Sequence, residues 1–239
     1  MPRAVELSYF GASVTGPEHR RQKIPNQDAW VARKSASGCV AIVADGLGSS
    51  RHGRIGAQAA CVAGQEAARI LRRTGARPTI HTIAVLRAVW HQIVASSGIT
   101  DCGTTCLFTM IDPEGVLFAA QVGDGLIAIR RANGDVSMLQ TGEKSFQNST
   151  STIASAGAQH WALIDAQELQ PGDAVFMATD GIADDLDMTR LGDFVGHLIS
   201  EYLPMPTAKR SAAIRRSLDQ WPTRHHRDDK TLVVIVRTQ

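Results

Sequence analysis

Three apolar segments of this 239-residue chain each run, within two residues, into an Asp-Gly pair. The segments span 40–44, 118–122 and 174–178, and the pairs begin at Asp45, Asp124 and Asp180. Short apolar runs bounded by turn residues are typical of buried β-strands. A single Asp-Gly pair is most simply a turn. Three of them at the ends of buried strands predict instead that carboxylates collect at one edge of a sheet.

Two further acidic positions lie directly before apolar strands. Asp28 precedes Ala29–Ala32, and Asp228-Asp229 precede Leu232–Val236. Two carboxylates about 4 Å apart repel by roughly 4 kcal/mol at an effective dielectric of 20, and divalent cations remove that cost. A ligand set made of oxygens favours Mg²⁺ or Mn²⁺ over Zn²⁺. Two such ions generate hydroxide at neutral pH, which is the chemistry of phosphate ester hydrolysis.

The order of predicted elements constrains the architecture. It runs strands, two helices, four strands, a polar segment at 141–161, one strand, two helices and a last strand. Strands joined by short turns pair antiparallel, and helices in two pairs can cover the outer sides of two stacked sheets. A mass of 25.7 kDa suits one β-rich domain, so we predict a single domain over 1–239.

Composition excludes several classes of protein. The 25 basic and 23 acidic residues give a net charge of +2, which does not favour nucleic acid or a membrane as partner. The longest apolar runs are too short to span a bilayer, and Met1–Ser13 lacks the apolar core of a secretory signal. Four cysteines in a chain of this length are not a disulfide framework. Together these features predict a cytoplasmic protein.

Six short motifs stand in one order along the chain, from about Tyr9 to Val236. They are Asn26-Gln27-Asp28, Val43–Gly48, Cys102–Thr105, Val122–Asp124, Ala178–Gly181 and Asp228–Thr231. In this order they resemble the metal-dependent protein phosphatase family, the type 2C Ser/Thr phosphatases, and most of all its compact bacterial branch. The resemblance implies an α+β fold, a four-layer α-β-β-α sandwich with two mainly antiparallel sheets flanked by helices.

The resemblance also implies an activity. It implies a phosphoserine/phosphothreonine protein phosphatase that hydrolyses phosphate monoesters by direct attack of a metal-bridged hydroxide. The implied cofactors are two divalent cations, Mn²⁺ or Mg²⁺, with a third bound weakly. The implied partner is a phosphorylated Ser/Thr protein, either a Ser/Thr kinase or one of its targets, and the chain is expected to be a monomer.

Motif matching carries roles onto individual residues. Asp45 would bridge both metals, and the Gly46 carbonyl would bind the second. Asp180 and Asp228 would hold the first metal, and Asp124 would share a third site with Asp180. These metal-binding carboxylates are the implied catalytic residues.

Motif matching also assigns roles to residues around the metals. Asp28 would orient water bound to the metals without touching them, and the segment 141–161 would form a flap beside the site. Bacterial members place an arginine that binds substrate phosphate where this chain has Lys23. A lysine ammonium is a point charge and cannot make the two parallel hydrogen bonds that an arginine guanidinium makes with phosphate.

The chain departs from the family at three other positions. Gln27 stands where many members have an acidic residue, which gives the second metal fewer charged ligands. Leu47 stands where some members have a histidine that is a candidate general acid, so a metal-bound water or His52 would have to serve. Asp229 stands where asparagine is usual, and it either adds charge near the metals or holds a turn.

Two alternatives to a protein phosphatase stay open at this point. Gln27 and Leu47 also suit a non-catalytic sensor or scaffold of the same fold that binds a phosphoprotein. A hydrolase of small phosphate esters would use the same chemistry as a protein phosphatase, so the sequence does not separate the two.

Overall fold

The computed structural model describes residues 4–139, 151–155, 157, 160–222 and 227–239. The strands are β1 (Leu7–Val14), β2 (Ala29–Ser35), β3 (Gly38–Ala44), β4 (Cys106–Ile111), β5 (Val116–Val122), β6 (Leu126–Arg130), β7 (Val136–Met138), β8 (Ala162–Glu168), β9 (Ala174–Ala178) and β10 (Lys230–Arg237). The helices are α1 (Pro17–Gln22), α2 (Gly53–Thr74), α3 (Ile80–Ser96), α4 (Asp180–Ala183), α5 (Leu191–Tyr202) and α6 (Thr207–Asp219). A short 3₁₀ helix covers Met188–Arg190.

The strands form two five-stranded sheets in which every pairing is antiparallel. One sheet has the order β1-β10-β9-β6-β7 and the other β2-β3-β4-β5-β8. Alternate residues of each strand point to opposite faces of a sheet. One face of each sheet therefore packs against the other sheet, through residues such as Val43, Ile127 and Val233. The opposite faces pack against helices.

Helices cover both outer faces of the sandwich. Ile42 and Phe108 pack under α2 and α3, while Phe176 and Val234 pack under α5 and α6. This arrangement confirms the predicted four-layer α+β sandwich with antiparallel sheets between helices.

The position of α2 brings its first residue against the end of β3. The face of α2 toward the sheet consists largely of alanine and glycine, and a Cβ on Gly64 would lie 2.4 Å from Ile42 Cγ1. Small residues let a helix approach a sheet closely. At its N-terminal end, Gly53 lies so close to Gly46 that a Cβ on Gly46 would fall 2.2 Å from the Gly53 carbonyl carbon. The Asp45-Gly46 pair is thereby enclosed between a strand end and a helix start.

Sequence reasoning missed three elements. Helix α1 has six mostly polar residues and buries none of them, so it carries no amphipathic pattern. Strand β8 is an edge strand whose residues are mostly half-exposed or exposed, and its pairing with β5 is irregular. Helix α4 is a single turn. Elements of this kind are specified by their neighbours in space rather than by their own periodicity.

Most of the segment that we predict to be a flap, 141–161, lies outside the described residues. Within its described part, Ile153 and Trp161 are buried in the core beneath α2 and α3. The Ile153 amide donates to the Thr104 carbonyl at 3.0 Å, and the Arg87 side chain donates to the Ile153 carbonyl. The end of the segment is therefore fixed to the layer that carries Thr104.

None of the helices in the described part of the chain has the length and hydropathy needed to cross a membrane. All four cysteines are buried, and none forms a disulfide.

Candidate active site

Two of the predicted site residues flank one pair of neighbouring strands. Asp28 directly precedes β2 and Asp45 directly follows β3. In the antiparallel register Ala29 lies opposite Ala44, so both carboxylates emerge at the same end of the sheet. The Asp28 side chain is 9% exposed.

The other sheet brings Asp180 and Asp228 to the same end. Thr179 follows β9, and Thr231 lies near the start of β10. The Thr179 amide donates to the Thr231 carbonyl at 3.0 Å, and the Thr231 amide donates to Thr179 Oγ1 at 3.1 Å. This pairing sets the start of α4, which is Asp180, beside the residues that precede β10.

Hydrogen bonds from the second sheet to Asp28 join the two strand ends. Thr179 Oγ1 donates to Asp28 Oδ2 at 3.0 Å, and Thr231 Oγ1 donates to the same oxygen at 2.7 Å. All three side chains are buried. Contacts between the two sheets therefore hold these carboxylates together at one end of the sandwich.

The pKa values of the buried carboxyl groups reflect their mutual repulsion. The pKa of Asp45 is raised well above its ordinary value; burial is the first cause, followed by the charges of Asp28, Asp180 and Asp228. Burial, with a contribution from the charge of Asp229, raises the pKa of Asp28 to about 7. Four of the predicted site residues therefore form one cluster, in which ionisation of all four carboxyl groups at once is unfavourable.

The Asp45 backbone is held by the Thr104-Thr105 pair. The Asp45 amide donates to Thr105 Oγ1 at 3.0 Å, and the Asp45 carbonyl accepts from Thr104 Oγ1 at 2.8 Å and from the Thr105 amide at 2.9 Å. Gly46 and Thr104 form an isolated β-bridge. Both hydroxyls are engaged with the backbone of Asp45, which fixes the direction in which its side chain leaves the strand.

Asp124 and Lys23, the other two predicted site side chains, are both exposed. The turn that carries Asp124 spans the two sheets: a Cβ on Gly123 would lie 2.5 Å from Thr105 Cγ2, and one on Gly125 would lie 2.8 Å from the Ala178 carbonyl. Lys23 is the C-cap of α1, with a left-handed φ of 58°. The structure thus places Asp124 at the carboxylate end of the sandwich and Lys23 at the end of a short helix.

The donor set of this cluster suits a hard divalent cation. It consists of carboxylate and carbonyl oxygens, together with two buried oxygens, Gln27 Oε1 and Asp28 Oδ1, that receive no donor from the described residues. A buried oxygen without a donor is costly unless a cation or water meets it. Mg²⁺ and Mn²⁺ prefer such ligands. Among the described residues, His19, Asp228 and Asp229 form a group whose ligand atoms lie within 4.8 Å of one another, and this group shares Asp228 with the cluster.

The structure shows the contacts of two charged residues beside Asp228: Asp229, for which the sequence left two roles open, and Lys230, which sequence reasoning missed. Asp229 is 1% exposed; its carboxylate accepts from the amides of Gly16 and Gln27, and it lies 2.9 Å from His19 Nδ1. Lys230 is 2% exposed, its Nζ donates to the Asp228 carbonyl at 3.1 Å, and burial lowers its pKa. The signal in the sequence was the run of three charged residues, Asp228, Asp229 and Lys230, just before the apolar part of the last strand.

Leu47, which stands where some family members have a histidine, and His52, the candidate general acid, have different surroundings. Leu47 is half-buried, and its amide donates to the Gly103 carbonyl at 3.0 Å. His52 lies at the start of α2, with Nδ1 2.8 Å from the Thr100 carbonyl. The Thr100 contact holds the imidazole by one nitrogen and leaves Nε2 as the atom available for proton transfer.

Replacing Gly181 with alanine should destabilise the fold by about 1–3 kcal/mol, the usual cost of overpacking. A Cβ at this position would lie 1.9 Å from the Asp229 carbonyl, which is backbone and cannot turn aside. The matched control is Gly48→Ala, where a Cβ meets nothing within 4 Å. Urea unfolding of both variants checks this prediction, and equal stabilities would contradict the close approach of α4 to the residues before β10.

In a chelator, the free energy of unfolding should fall as the pH rises from about 4 to about 7. Across this window folded Asp28, whose pKa is raised to about 7, keeps a proton that the unfolded chain has already released. The folded state therefore binds more protons, and stability decreases with pH. Denaturant unfolding at several pH values measures the slope. Asp28→Asn should flatten it, and a slope that is positive or unchanged in this variant would contradict the burial of Asp28 beside other carboxylates.

Comparison with known proteins identifies a family. The family profile described as Protein phosphatase 2C matches residues 15–221. No curated protein matches the sequence.

Solved structures with the same fold cover nearly the whole chain. PppA, described as a key regulatory component of T6SS in Pseudomonas aeruginosa, is 18% identical with a TM-score of 0.64 over 98% of both chains. The catalytic domain of the serine threonine protein phosphatase PstP, in complex with two manganese ions, is 19% identical with a TM-score of 0.64, over 96% of this chain and 97% of that one. RsbX in complex with magnesium is 14% identical with a TM-score of 0.62 over 98% of both. At these identities the likeness establishes a common fold.

Proposed function

Because this chain belongs to the protein phosphatase 2C family, we propose that it hydrolyses phosphoserine and phosphothreonine in proteins, with Mn²⁺ or Mg²⁺ as cofactor. The observation that carries the proposal is the convergence of Asp28, Asp45, Asp180 and Asp228 at one end of the sandwich. When bound, two divalent cations supply a hydroxide nucleophile at neutral pH and offset charge on the phosphoryl oxygens.

The proposed metal ligands are the carboxylates of Asp45, Asp180 and Asp228 and the Gly46 carbonyl. Asp45 would hold both ions, the Gly46 carbonyl would hold one of them, and Asp180 and Asp228 would hold the other. The fixed backbone of Asp45, held by Thr104 and Thr105, supports this role because bridging needs a constant side-chain direction. The exposed Asp124 contributes with Asp180 to a third, weaker site.

Asp28 and Lys23 act on water and substrate in this proposal. Two threonine hydroxyls hold one oxygen of Asp28, which leaves the other to orient a water molecule for in-line attack on phosphorus. The exposed ammonium of Lys23 binds the phosphoryl oxygens and opposes the charge that develops on them. Since Leu47 cannot transfer a proton, the leaving serine or threonine oxygen takes its proton from water or from His52.

The physiological partners in this proposal are phosphoproteins produced by a Ser/Thr kinase, or the kinase itself. The serine threonine phosphatase PstP has the same fold, and its structure holds two manganese ions. A cytoplasmic location and a monomeric state stay predictions from the sequence.

A substrate panel tests the proposed function. The Mn²⁺-loaded chain should release phosphate from a phosphothreonine peptide with a kcat/KM at least about 10-fold above that for phosphotyrosine peptide or a sugar phosphate. Exclusive hydrolysis of small esters would make the chain a small-molecule phosphatase. Binding of the phosphopeptide without phosphate release at any metal concentration would make it a phosphoprotein sensor.

A further inference from the structure

We propose that Asp229 is a positioning residue for substrate phosphate. Its buried carboxylate fastens α1 to the residues before β10 and so determines where Lys23 lies relative to the carboxylate cluster. The inference rests on the proposed function, in which Lys23 binds the substrate phosphate.

The contacts of Asp229 reach the chain before, within and after α1. Asp229 Oδ1 accepts from the Gly16 amide at 2.7 Å, and Gly16 is the N-cap of the helix. Asp229 Oδ2 accepts from the Gln27 amide at 2.5 Å and lies 2.9 Å from Nδ1 of His19, which is inside the helix. One carboxylate, 1% exposed, thus bonds to both ends of the segment 16–27 and lies beside its middle.

Helix α1 needs such an anchor because it has little stability of its own. It has six residues, buries none of them and has no side-chain N-cap. Isolated helices shorter than about 12–15 residues are marginal even with favourable sequences. The Glu18 amide also donates to the Arg227 carbonyl at 3.1 Å. The side-chain pair of Arg20 and Asp219, at 2.5 Å, joins two half-exposed groups, and such surface pairs contribute little.

Lys23 follows α1 because its backbone completes the helix. The Lys23 amide donates to the Arg20 carbonyl, and the Ile24 amide donates to the His19 carbonyl. A displacement of α1 therefore displaces Lys23. Asp45 directly follows β3 and Asp180 begins α4, so neither carboxylate belongs to the segment 16–27. One backbone bond, from the Gly46 amide to the Gln27 carbonyl at 3.3 Å, joins that segment to the residue after Asp45.

An asparagine in place of Asp229 would lose one of the two acceptors in this arrangement. Each carboxylate oxygen accepts from a different backbone amide, Oδ1 from Gly16 and Oδ2 from Gln27. An asparagine side chain presents one oxygen and one NH₂ group, so one amide would face a donor instead of an acceptor. The hydrogen-bond geometry therefore requires the carboxylate that stands here.

The experiment compares Asp229→Asn with Asp219→Asn, which removes the same charge from the exposed partner of Arg20. In the metal-free full-length chain, the amides of Gly16 and Gln27 should exchange with solvent at least about 10-fold faster in Asp229→Asn only. In the Mn²⁺-loaded chain, inorganic phosphate should bind about 10-fold more weakly in Asp229→Asn, the loss typical of one charged hydrogen bond, and within about 2-fold of wild type in Asp219→Asn.

A cycle with Lys23→Ala separates positioning from a general structural role. If Asp229 acts through Lys23, Asp229→Asn should weaken phosphate binding by less than about 2-fold when Lys23 is already alanine. An equal loss in both backgrounds, or unchanged amide exchange, would overturn the proposal. If Asp229→Asn does not fold, His19→Gln removes the imidazole beside Asp229, with an expected loss of about 3-fold that also vanishes with Lys23→Ala. Because His19 Nδ1 also lies 3.6 Å from Asp228 Oδ1, an unchanged Mn²⁺ affinity is the control for this variant. Exchange and phosphate binding are read without turnover, so failure of the proposed phosphatase activity would be seen separately.

Discussion

Replacing Asp45 with asparagine should lower kcat/KM for phosphate ester hydrolysis by about 10³-fold or more. Asp45 lies at the centre of the cluster, and its pKa is raised by burial and then by three other carboxylates. The substitution keeps the size of the side chain and removes the charge that would bridge two cations. The same change at Asp180 should have a similar effect.

This variant should also be more stable than the wild type in a chelator. The neutral asparagine side chain would no longer repel Asp28, Asp180 and Asp228, so activity and metal-free stability should change in opposite directions. Asp193→Asn, an exposed position on α5, is the control and should leave both unchanged. Initial rates with Mn²⁺ and urea unfolding in chelator measure the two quantities. Retained activity, or an Asp45→Asn protein that unfolds more easily, would contradict the central position of Asp45.

Removing the divalent cations should abolish hydrolysis and lower the stability of the wild-type chain. A ligand at 100 times its dissociation constant stabilises a folded protein by about 2.7 kcal/mol per site, so two sites would add roughly 5 kcal/mol. The physical reason is that bound cations replace the repulsion within the carboxylate cluster by attraction. Thermal unfolding in chelator and in a series of Mn²⁺ concentrations measures the gain.

The control for this prediction is NaCl at matched ionic strength, because screening also weakens repulsion between charges. NaCl should raise the melting temperature far less than Mn²⁺, and Asp45→Asn should lose most of the Mn²⁺ effect. An equal shift with both salts would show that the cluster is only screened and does not bind metal.

The sequence predicted the parts of the fold that depend on local pattern. Strands β3 and β9 are continuous apolar runs, and β10 contains one from Leu232 to Val236; each is found where the pattern indicated it. Their flanking aspartates could be predicted to meet because antiparallel pairing sets strand ends side by side. The four-layer arrangement followed from two helix pairs around antiparallel strands and from the resemblance to the phosphatase family.

The sequence could not predict contacts between the sheets or along the border of the site. The hydroxyls of Thr179 and Thr231 meet Asp28 across 151 and 203 residues of chain, and no local pattern encodes such a meeting. Likewise, Asp229 was left between two roles, and its 2.7 Å bond to the Gly16 amide, 213 residues away, supports the role of holding a turn. Helix α1 has no amphipathic pattern that could reveal it, and contacts with distant segments hold it in place.

The most direct test of the central claim is the hydrolysis of p-nitrophenyl phosphate by the chelator-treated chain during a Mn²⁺ titration, with Asp180→Ala in parallel. We expect no hydrolysis without metal, a saturable rise with Mn²⁺ in the wild type, and no activity in Asp180→Ala at any concentration. A folded wild-type chain that stays inert throughout, or metal-dependent activity that survives in Asp180→Ala, would contradict the proposal of a phosphatase centred on these carboxylates.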